Sequence, residues 1–183
     1  MGRAPDPPGG SEPGAITYIP LTGRLDRDGF ALVDVILAHP ETRLIGRVPN
    51  LETLRNHELP DRSALHPGLI DTGANGSSIT PELLGFLGLQ GDGGHRRVKR
   101  PGDPEWTQEP TYAVQLVFGG AFEIRISVTA DLWPPQGQKY RALLGSDALG
   151  MCRLTYEGRH SVFAGGEAGG YTLQVPDFRP GRT

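Results

Sequence analysis

The sequence predicts an all-β protein built from short strands and many turns. Of its 183 residues, 27 are glycine and 17 are proline, while only 37% are hydrophobic. This composition favours short strands joined by turns over long helices. Two apolar, β-rich segments, 111–118 and 122–129, flank the dipeptide Gly119-Gly120, which is typical of a β-hairpin. The length suits one domain with a core of its own.

The predicted domain covers residues 15–176 and carries one insertion. Residues 1–14 are rich in proline and glycine and show no apolar pattern, so we expect a disordered leader. Residues 177–183 are expected to form a tail. An insertion at 38–67 is expected to contain a short helix near 50–59, where leucines recur at helical spacing. Its role is either surface decoration or a contribution to a substrate channel or dimer contact.

The remaining elements follow from local signals. Thr80 and Pro81 mark the start of a short helix over 81–89, because threonine caps free N–H groups and proline suits the first helical position. Residues 95–100 and 105–110 flank the turn sequence Pro-Gly-Asp-Pro and should form a second hairpin. The other predicted elements are strands at 15–21 and 30–37, a glycine-rich turn at 90–94, a loop at 131–140, a strand at 141–144, a short helix at 147–151, a hairpin of 153–156 with 159–164, and a last strand at 171–175.

One acidic residue stands where a carboxylate is unexpected. Leu69 and Ile70 indicate the end of a buried strand, yet Asp71 follows them directly. Removing a carboxylate from water is costly unless a partner compensates it. Thr72 supplies a hydroxyl, and Gly73 permits a tight turn with close backbone approach. We therefore interpret Asp71 as a functional carboxylate.

Two motifs together resemble the signature of retropepsin-like aspartic proteases. The first is Leu-Ile-Asp-Thr-Gly-Ala at 69–74, and the second is Leu-Leu-Gly-Ser-Asp at 143–147. In that family, two apolar residues and the glycine of the second motif pack behind the catalytic loop, and a short helix follows. The resemblance implies the retropepsin-like acid protease fold, a closed or partly open β-barrel with one or two short helices. We expect Asp147 to cap the short helix or to anchor it by pairing with an arginine. The roles that the resemblance implies are catalysis for Asp71, support of the loop for Thr72, Gly73 and Ala74, and packing behind the site for Leu144 and Gly145.

A single Asp-Thr-Gly motif predicts a homodimer. Hydrolysis by aspartic acids uses two carboxyl groups around one water, one ionised and one protonated. Two-fold pairing of two chains would bring both Asp71 carboxyls to the axis. The resemblance also implies that the hairpin at 95–110 is a flap, with Val98 and Trp106 facing an extended peptide, although it also fits an ordinary exposed hairpin. We expect a homodimeric aspartic endopeptidase acting on a peptide or protein, or alternatively a dimeric module of this fold that binds peptide without cleaving it.

Composition and spacing argue against other functions. The net charge of −3 gives no broad attraction to nucleic acid, and the basic cluster of the second hairpin is more simply a solvated surface. The five histidines lack metal-binding spacing, so we expect no metal and no cofactor. No apolar run approaches the roughly 18 residues that span a membrane. A lone Cys152, expected in the core, and the lack of a secretory signal favour a cytoplasmic protein. The basic cluster consists of Arg96, Arg97, Lys99 and Arg100.

Overall fold

A computed structural model describes residues 16–26, 29–44, 59–100, 102–120, 122–157 and 169–177. Within these ranges the chain forms ten strands and two short helices, which confirms the all-β prediction. The strands are β1 (Tyr18–Arg24), β2 (Leu32–Ala38), β3 (Ser63–Ile70), β4 (Ser78–Ile79), β5 (Gly91–Val98), β6 (Thr107–Phe118), β7 (Phe122–Thr129), β8 (Ala142–Leu144), β9 (Arg153–Glu157) and β10 (Gly170–Pro176). The helices are α1 (Pro81–Leu87) and α2 (Ser146–Leu149).

Six of the strands close into a barrel. They follow the order β2-β3-β8-β4-β7-β6, and β2 pairs with β6 as well as with β3, so the sheet returns on itself. Strand β5 extends the same sheet beyond β6. A separate three-stranded sheet has the order β1-β10-β9, with β1 at one edge. Because the barrel is closed, β5 is the one edge strand of the larger sheet within the described residues, and it pairs with β6 alone.

Alternating residues of the barrel strands fill one main core. Val114, Leu116 and Phe118 of β6 all belong to it, whereas Val117 between them packs on Ile36 in a smaller cluster on the other face. This alternation is expected because successive strand side chains point to opposite faces. Helix α1 and strand β10 add apolar side chains to the same main core. The barrel, the helix and the three-stranded sheet therefore share one hydrophobic centre.

Helix α1 begins at Pro81 as predicted and ends at Leu87, two residues before the predicted end. The Thr80 hydroxyl oxygen accepts the N–H of Leu83 at 3.4 Å, and Pro81 occupies the first turn. Gly88 ends the helix in the left-handed conformation, with φ of 62°. The Arg62 guanidinium donates to the carbonyl oxygen of Gly88 at 3.0 Å and so satisfies one of the helix's free acceptors.

Several predicted boundaries differ from the structure by a few residues, and the segments predicted at 105–110 and 111–118 form one continuous strand, β6. Strand β3 begins at Ser63, inside the insertion predicted at 38–67, because it pairs with β2 from Ser63 opposite Ala38 to Leu69 opposite Leu32. The turn predicted at 90–94 is wrong, since Gly91 already pairs with Tyr112 as the start of β5. The predicted leader at 1–14, most of the predicted helix at 50–59, the predicted strand at 159–164 and the tail beyond 177 lie outside the described residues.

Candidate active site

Asp71 lies just beyond the end of two parallel strands. Strands β3 and β8 run side by side, with Ile70 opposite Leu144 in the register. The N–H of Asp71 continues this pairing and donates to the carbonyl oxygen of Leu144 at 3.1 Å. The chain then turns through residues 71–77, here called the Asp71 loop, and returns as β4 on the other side of β8. The two predicted motifs are therefore neighbours in the structure.

The carboxylate of Asp71 is held by its own loop. Its Oδ1 accepts the N–H of Gly73 at 2.9 Å, and its backbone carbonyl accepts the N–H of Ala74 at 3.2 Å. Such local bonds stabilise a tight turn after an aspartate. Asp71 is half-buried, whereas Thr72 and Gly73 are exposed at the tip of the loop. The loop thus presents one ordered carboxylate near a surface that a second molecule can approach.

The start of α2 packs directly against the Asp71 loop. A Cβ atom added to Gly145 would lie 2.6 Å from the carbonyl carbon of Gly76 and 2.9 Å from the carbonyl oxygen of Ala74. The N–H of Ser146 donates to that same Ala74 oxygen at 2.9 Å. Leu144 is buried in the main core beneath them. Leu144 and Gly145 therefore lie behind the Asp71 loop, and only glycine permits this close approach.

Asp147 joins the loop to an arginine of the second hairpin. Its two carboxylate oxygens accept the hydroxyl of Ser77 at 2.6 Å and the N–H of Ser77 at 3.0 Å. The guanidinium of Arg96 forms an ion pair with it at 3.0 Å. The predicted pairing of Asp147 with an arginine is confirmed. Sequence reasoning had placed Arg96 only in a solvated basic cluster, and its partner lies too far along the chain for any local pattern to reveal it.

A buried tyrosine, Tyr140, lies close enough to Asp71 to feel its charge. Tyr140 is 5% exposed and packs with Leu69 and Leu132 in a small cluster. Burial raises the pKa of the Tyr140 hydroxyl, and the negative charges of Asp26 and Asp71 raise it further. The ring of Phe30 meets that of Tyr140 edge-on, with centroids 6.4 Å apart. Tyr140 was not singled out from the sequence, where it ends an irregular loop.

Val98 and Trp106 both lie on the hairpin formed by β5 and β6. Val98 is half-buried at the end of β5, opposite Thr107, and Trp106 is 55% exposed beside the turn. The guanidinium of Arg97 lies over the Trp106 ring, 5.5 Å from its centre. The hairpin is therefore confirmed as a structural unit, and contact of these two residues with substrate stays a prediction.

Near the turn of the same hairpin, ion pairs of Arg100 join the hairpin to the barrel. The guanidinium of Arg100 pairs with Glu109 at 3.0 Å, with Asp131 at 3.1 Å and with Asp103 at 3.7 Å. These carboxylates raise the pKa of Arg100, mainly through the hydrogen bond to Glu109. Together with the pairing of Arg96, this means that half of the basic cluster is engaged by acidic partners. The hairpin therefore does not present a row of free positive charges.

The described residues offer neither a reactive thiol nor a metal-binding cluster. Cys152 packs against the main core, as predicted, and burial raises the pKa of its thiol to about 11. Within the described ranges, no three histidine, cysteine, aspartate or glutamate side chains are grouped to hold a metal ion. In the same ranges, no helix is long and apolar enough to cross a membrane. Asp71 remains the group that stands out for acid–base chemistry.

Comparisons with known proteins give a distant likeness. No family model matches the chain, and no curated protein matches it. Among solved structures, the chain is similar to the crystal structure of a retropepsin-like aspartic protease from Rickettsia conorii, with a TM-score of 0.47 and 15% sequence identity. The similarity covers 91% of this chain and 99% of that one.

Proposed function

We propose that this protein is an aspartic endopeptidase whose active form is a homodimer. The observation that carries the proposal is the placement of Asp71, at the end of the paired strands β3 and β8, with Oδ1 held by the N–H of Gly73 at 2.9 Å. Acid–base catalysis needs a carboxyl group at a fixed place that substrate can reach. The two motifs that resemble the retropepsin-like signature meet at this carboxyl, which supports the same interpretation.

The second carboxyl would come from a second copy of the chain. Each chain has one Asp-Thr-Gly sequence, and the exposed Thr72 and Gly73 leave the tip of the loop free for a two-fold partner. Two Asp71 carboxyls side by side would share one proton, because both cannot ionise at such short range. The ionised group would accept a proton from water as that water attacks the peptide carbonyl. The protonated group would donate to the carbonyl oxygen and stabilise the tetrahedral intermediate.

The substrate in this proposal is an extended peptide that lies between the Asp71 loops and the second hairpin. The carbonyl group of Gly73 would accept a hydrogen bond from the substrate backbone, while Val98 and Trp106 would contact its side chains. The proposed setting is the cytoplasm, since a lone Cys152 forms no disulfide within the chain and suits a reducing compartment.

A peptide-library digest tests the catalytic role of Asp71. Asp71→Asn keeps the shape of the side chain and its Gly73 bond but removes the acid. The matched control is Asp61→Asn, which changes an exposed aspartate before β3. We expect the wild type and the control to cleave the same peptides and Asp71→Asn to cleave none. Analytical ultracentrifugation should show that all three proteins remain dimers. Cleavage by Asp71→Asn would remove the assignment.

A mixing experiment tests the shared site separately. When equal amounts of wild type and Asp71→Asn exchange subunits, about a quarter of the dimers keep two acids, so activity per total protein should fall to about a quarter. Independent monomers would retain about half. A wild type that dimerises and binds peptide but never cleaves would favour the binding module instead.

A further inference from the structure

Arg96 reaches from the second hairpin to three groups around the Asp71 loop. Its Nη1 donates to the carbonyl oxygen of Ser77 at 3.2 Å. Its Nη2 donates to the carbonyl oxygen of Ser127 at 2.7 Å and to Oδ2 of Asp147 at 3.0 Å. The guanidinium therefore joins the loop, strand β7 and helix α2 in one place. Side chains of Arg96 and Asp147 are only 30% and 22% exposed, so water screens their pairing incompletely.

The same guanidinium is packed against the return of the loop. A Cβ atom added to Gly76 would lie 1.9 Å from Nη1 of Arg96 and 2.5 Å from its Cζ. On another side, the carbonyl group of Gly76 lies against Gly145, which likewise has no room for a side chain. Gly76 is thus enclosed by the arginine and by the start of α2. Neither side leaves room for a side chain at Gly76 while Arg96 keeps this position.

We infer that Arg96 is a positioning residue for Asp71. This inference rests on the proposed function, because it assigns to Arg96 the task of holding the proposed catalytic loop in place. Arg96 acts through Gly76, Ser77 and Asp147. Displacement of a reacting group by about 1 Å can cost about 100-fold in rate. The contacts of Arg96 with these residues, here called the Arg96 clamp, would therefore matter for catalysis.

The chemistry of the clamp favours arginine over lysine. A planar guanidinium donates in several fixed directions at once, and here it serves two backbone carbonyls and one carboxylate. A lysine ammonium could neutralise Asp147 but would not reproduce this fork. The positive charge of Arg96 also compensates the Asp147 carboxylate, which is only 22% exposed and would be costly without a partner.

Steady-state kinetics and hydrogen exchange together test the inference. Arg96→Met keeps the length of the side chain but removes its charge and donors, and Arg96→Lys keeps only the charge. Arg125→Met, which removes an exposed arginine from β7, is the matched control. We expect Arg96→Met to lower kcat about 100-fold with little change in KM. Arg96→Lys should recover part of this loss, and the control should behave as the wild type.

Amide hydrogen exchange separates positioning from general stability. In Arg96→Met, exchange should become faster in the peptide that covers residues 71–77 and stay unchanged in β2 and β10, which Arg96 does not contact. Wild-type kcat in a folded Arg96→Met dimer would overturn the inference, and so would faster exchange throughout the barrel. If Arg96→Met does not fold, Asp147→Asn removes the ion pair with little change of shape and is read in the same way.

The proposed function can fail independently of this inference. If the wild type shows no cleavage that depends on Asp71, the endopeptidase proposal falls and the exchange measurement alone decides the role of Arg96. Faster exchange confined to residues 71–77 would then support the clamp, whereas an unchanged loop would overturn it. If cleavage depends on Asp71 but the Arg96 variants cleave as fast as the wild type, the positioning role of Arg96 is wrong and the proposed function stands.

Discussion

The hydroxyl of Ser77 donates a hydrogen bond of 2.6 Å to Oδ1 of Asp147, which links the end of the Asp71 loop to helix α2. The same oxygen of Ser77 accepts the N–H of Gly145 at 3.0 Å, so the hydroxyl is used both as donor and as acceptor. Ser77 is only 1% exposed, and water does not compete for these bonds. A buried serine therefore holds together the two motifs that define the site.

Ser77→Ala should destabilise the fold and lower activity. The substitution leaves the N–H of Gly145 buried without its acceptor and removes one bond from Asp147, which together should lower the free energy of unfolding by about 1–3 kcal/mol. Denaturant unfolding measures this change. Ser78→Ala is the control, because the hydroxyl of that half-buried neighbour has no hydrogen bond among the described contacts. Equal effects of the two substitutions would contradict the proposed importance of the Ser77 bonds.

Much of the fold could be predicted from local sequence signals. The hairpin of β6 and β7 turns through Gly119 and Gly120, whose φ angles of 57° and 70° lie in the left-handed region that favours glycine. The cap at Thr80 and the pairing of Asp147 with an arginine were predicted as well. The hairpin and the cap depend on neighbouring residues, whereas no local pattern indicates which arginine pairs with Asp147.

Long-range pairing explains what the sequence did not predict. Residues 91–94 contain three glycines and suggest a turn, yet Asp92 accepts hydrogen bonds from Thr111 at 2.6 Å and from Ser127 at 2.7 Å, which hold the segment in β5. Arg96 meets Asp147 from a distant part of the chain. Such contacts override local propensity and become visible only in the folded barrel.

Two glycine substitutions should have opposite effects on stability. Gly145→Ala would force a methyl group to within 2.6–2.9 Å of the backbone of Gly76 and Ala74, so the Asp71 loop must shift. We expect a loss of about 1–3 kcal/mol in the free energy of unfolding, together with reduced activity. Gly85→Ala lies in α1, where an added Cβ meets nothing within 4 Å. It should stabilise the protein by about 0.5–1 kcal/mol, because alanine favours helix.

Thermal unfolding of the two glycine variants checks this contrast. Gly145→Ala should melt below the wild type, and Gly85→Ala should melt above it. A Gly145→Ala protein as stable and active as the wild type would show that the loop tolerates displacement, against the close packing described here.

His66 should make stability depend on pH. Burial lowers the pKa of this imidazole from its ordinary value of 6.5, and the positive charge of Arg141 lowers it further. As the pH falls below about 6.5, the unfolded chain binds a proton at His66 before the folded chain does. The free energy of unfolding should therefore decrease from neutral pH down through the pKa of the folded state.

The contribution of His66 can be isolated by substitution. His66→Gln removes the titrating group, so its melting temperature should fall less steeply than that of the wild type between pH 7 and pH 5. His95→Gln, which changes an exposed histidine of β5, is the matched control. If the wild type and His66→Gln lose stability in parallel as the pH falls, the burial of His66 does not govern this part of the acid response.

The pH dependence of cleavage should be bell-shaped if two Asp71 carboxyls share a proton. At low pH both groups are protonated, and neither can accept a proton from water. At high pH both are ionised, and neither can donate to the carbonyl oxygen of the peptide. The singly protonated pair is the active form, so kcat/KM should rise and then fall with pH, and the two limbs report apparent pKa values of the pair rather than of either residue.

Initial rates on one peptide across the acidic to neutral range measure the curve, with sedimentation at each pH to confirm that the dimer persists. A rate that climbs steadily into alkaline solution would indicate a different nucleophile and remove the paired-carboxyl mechanism.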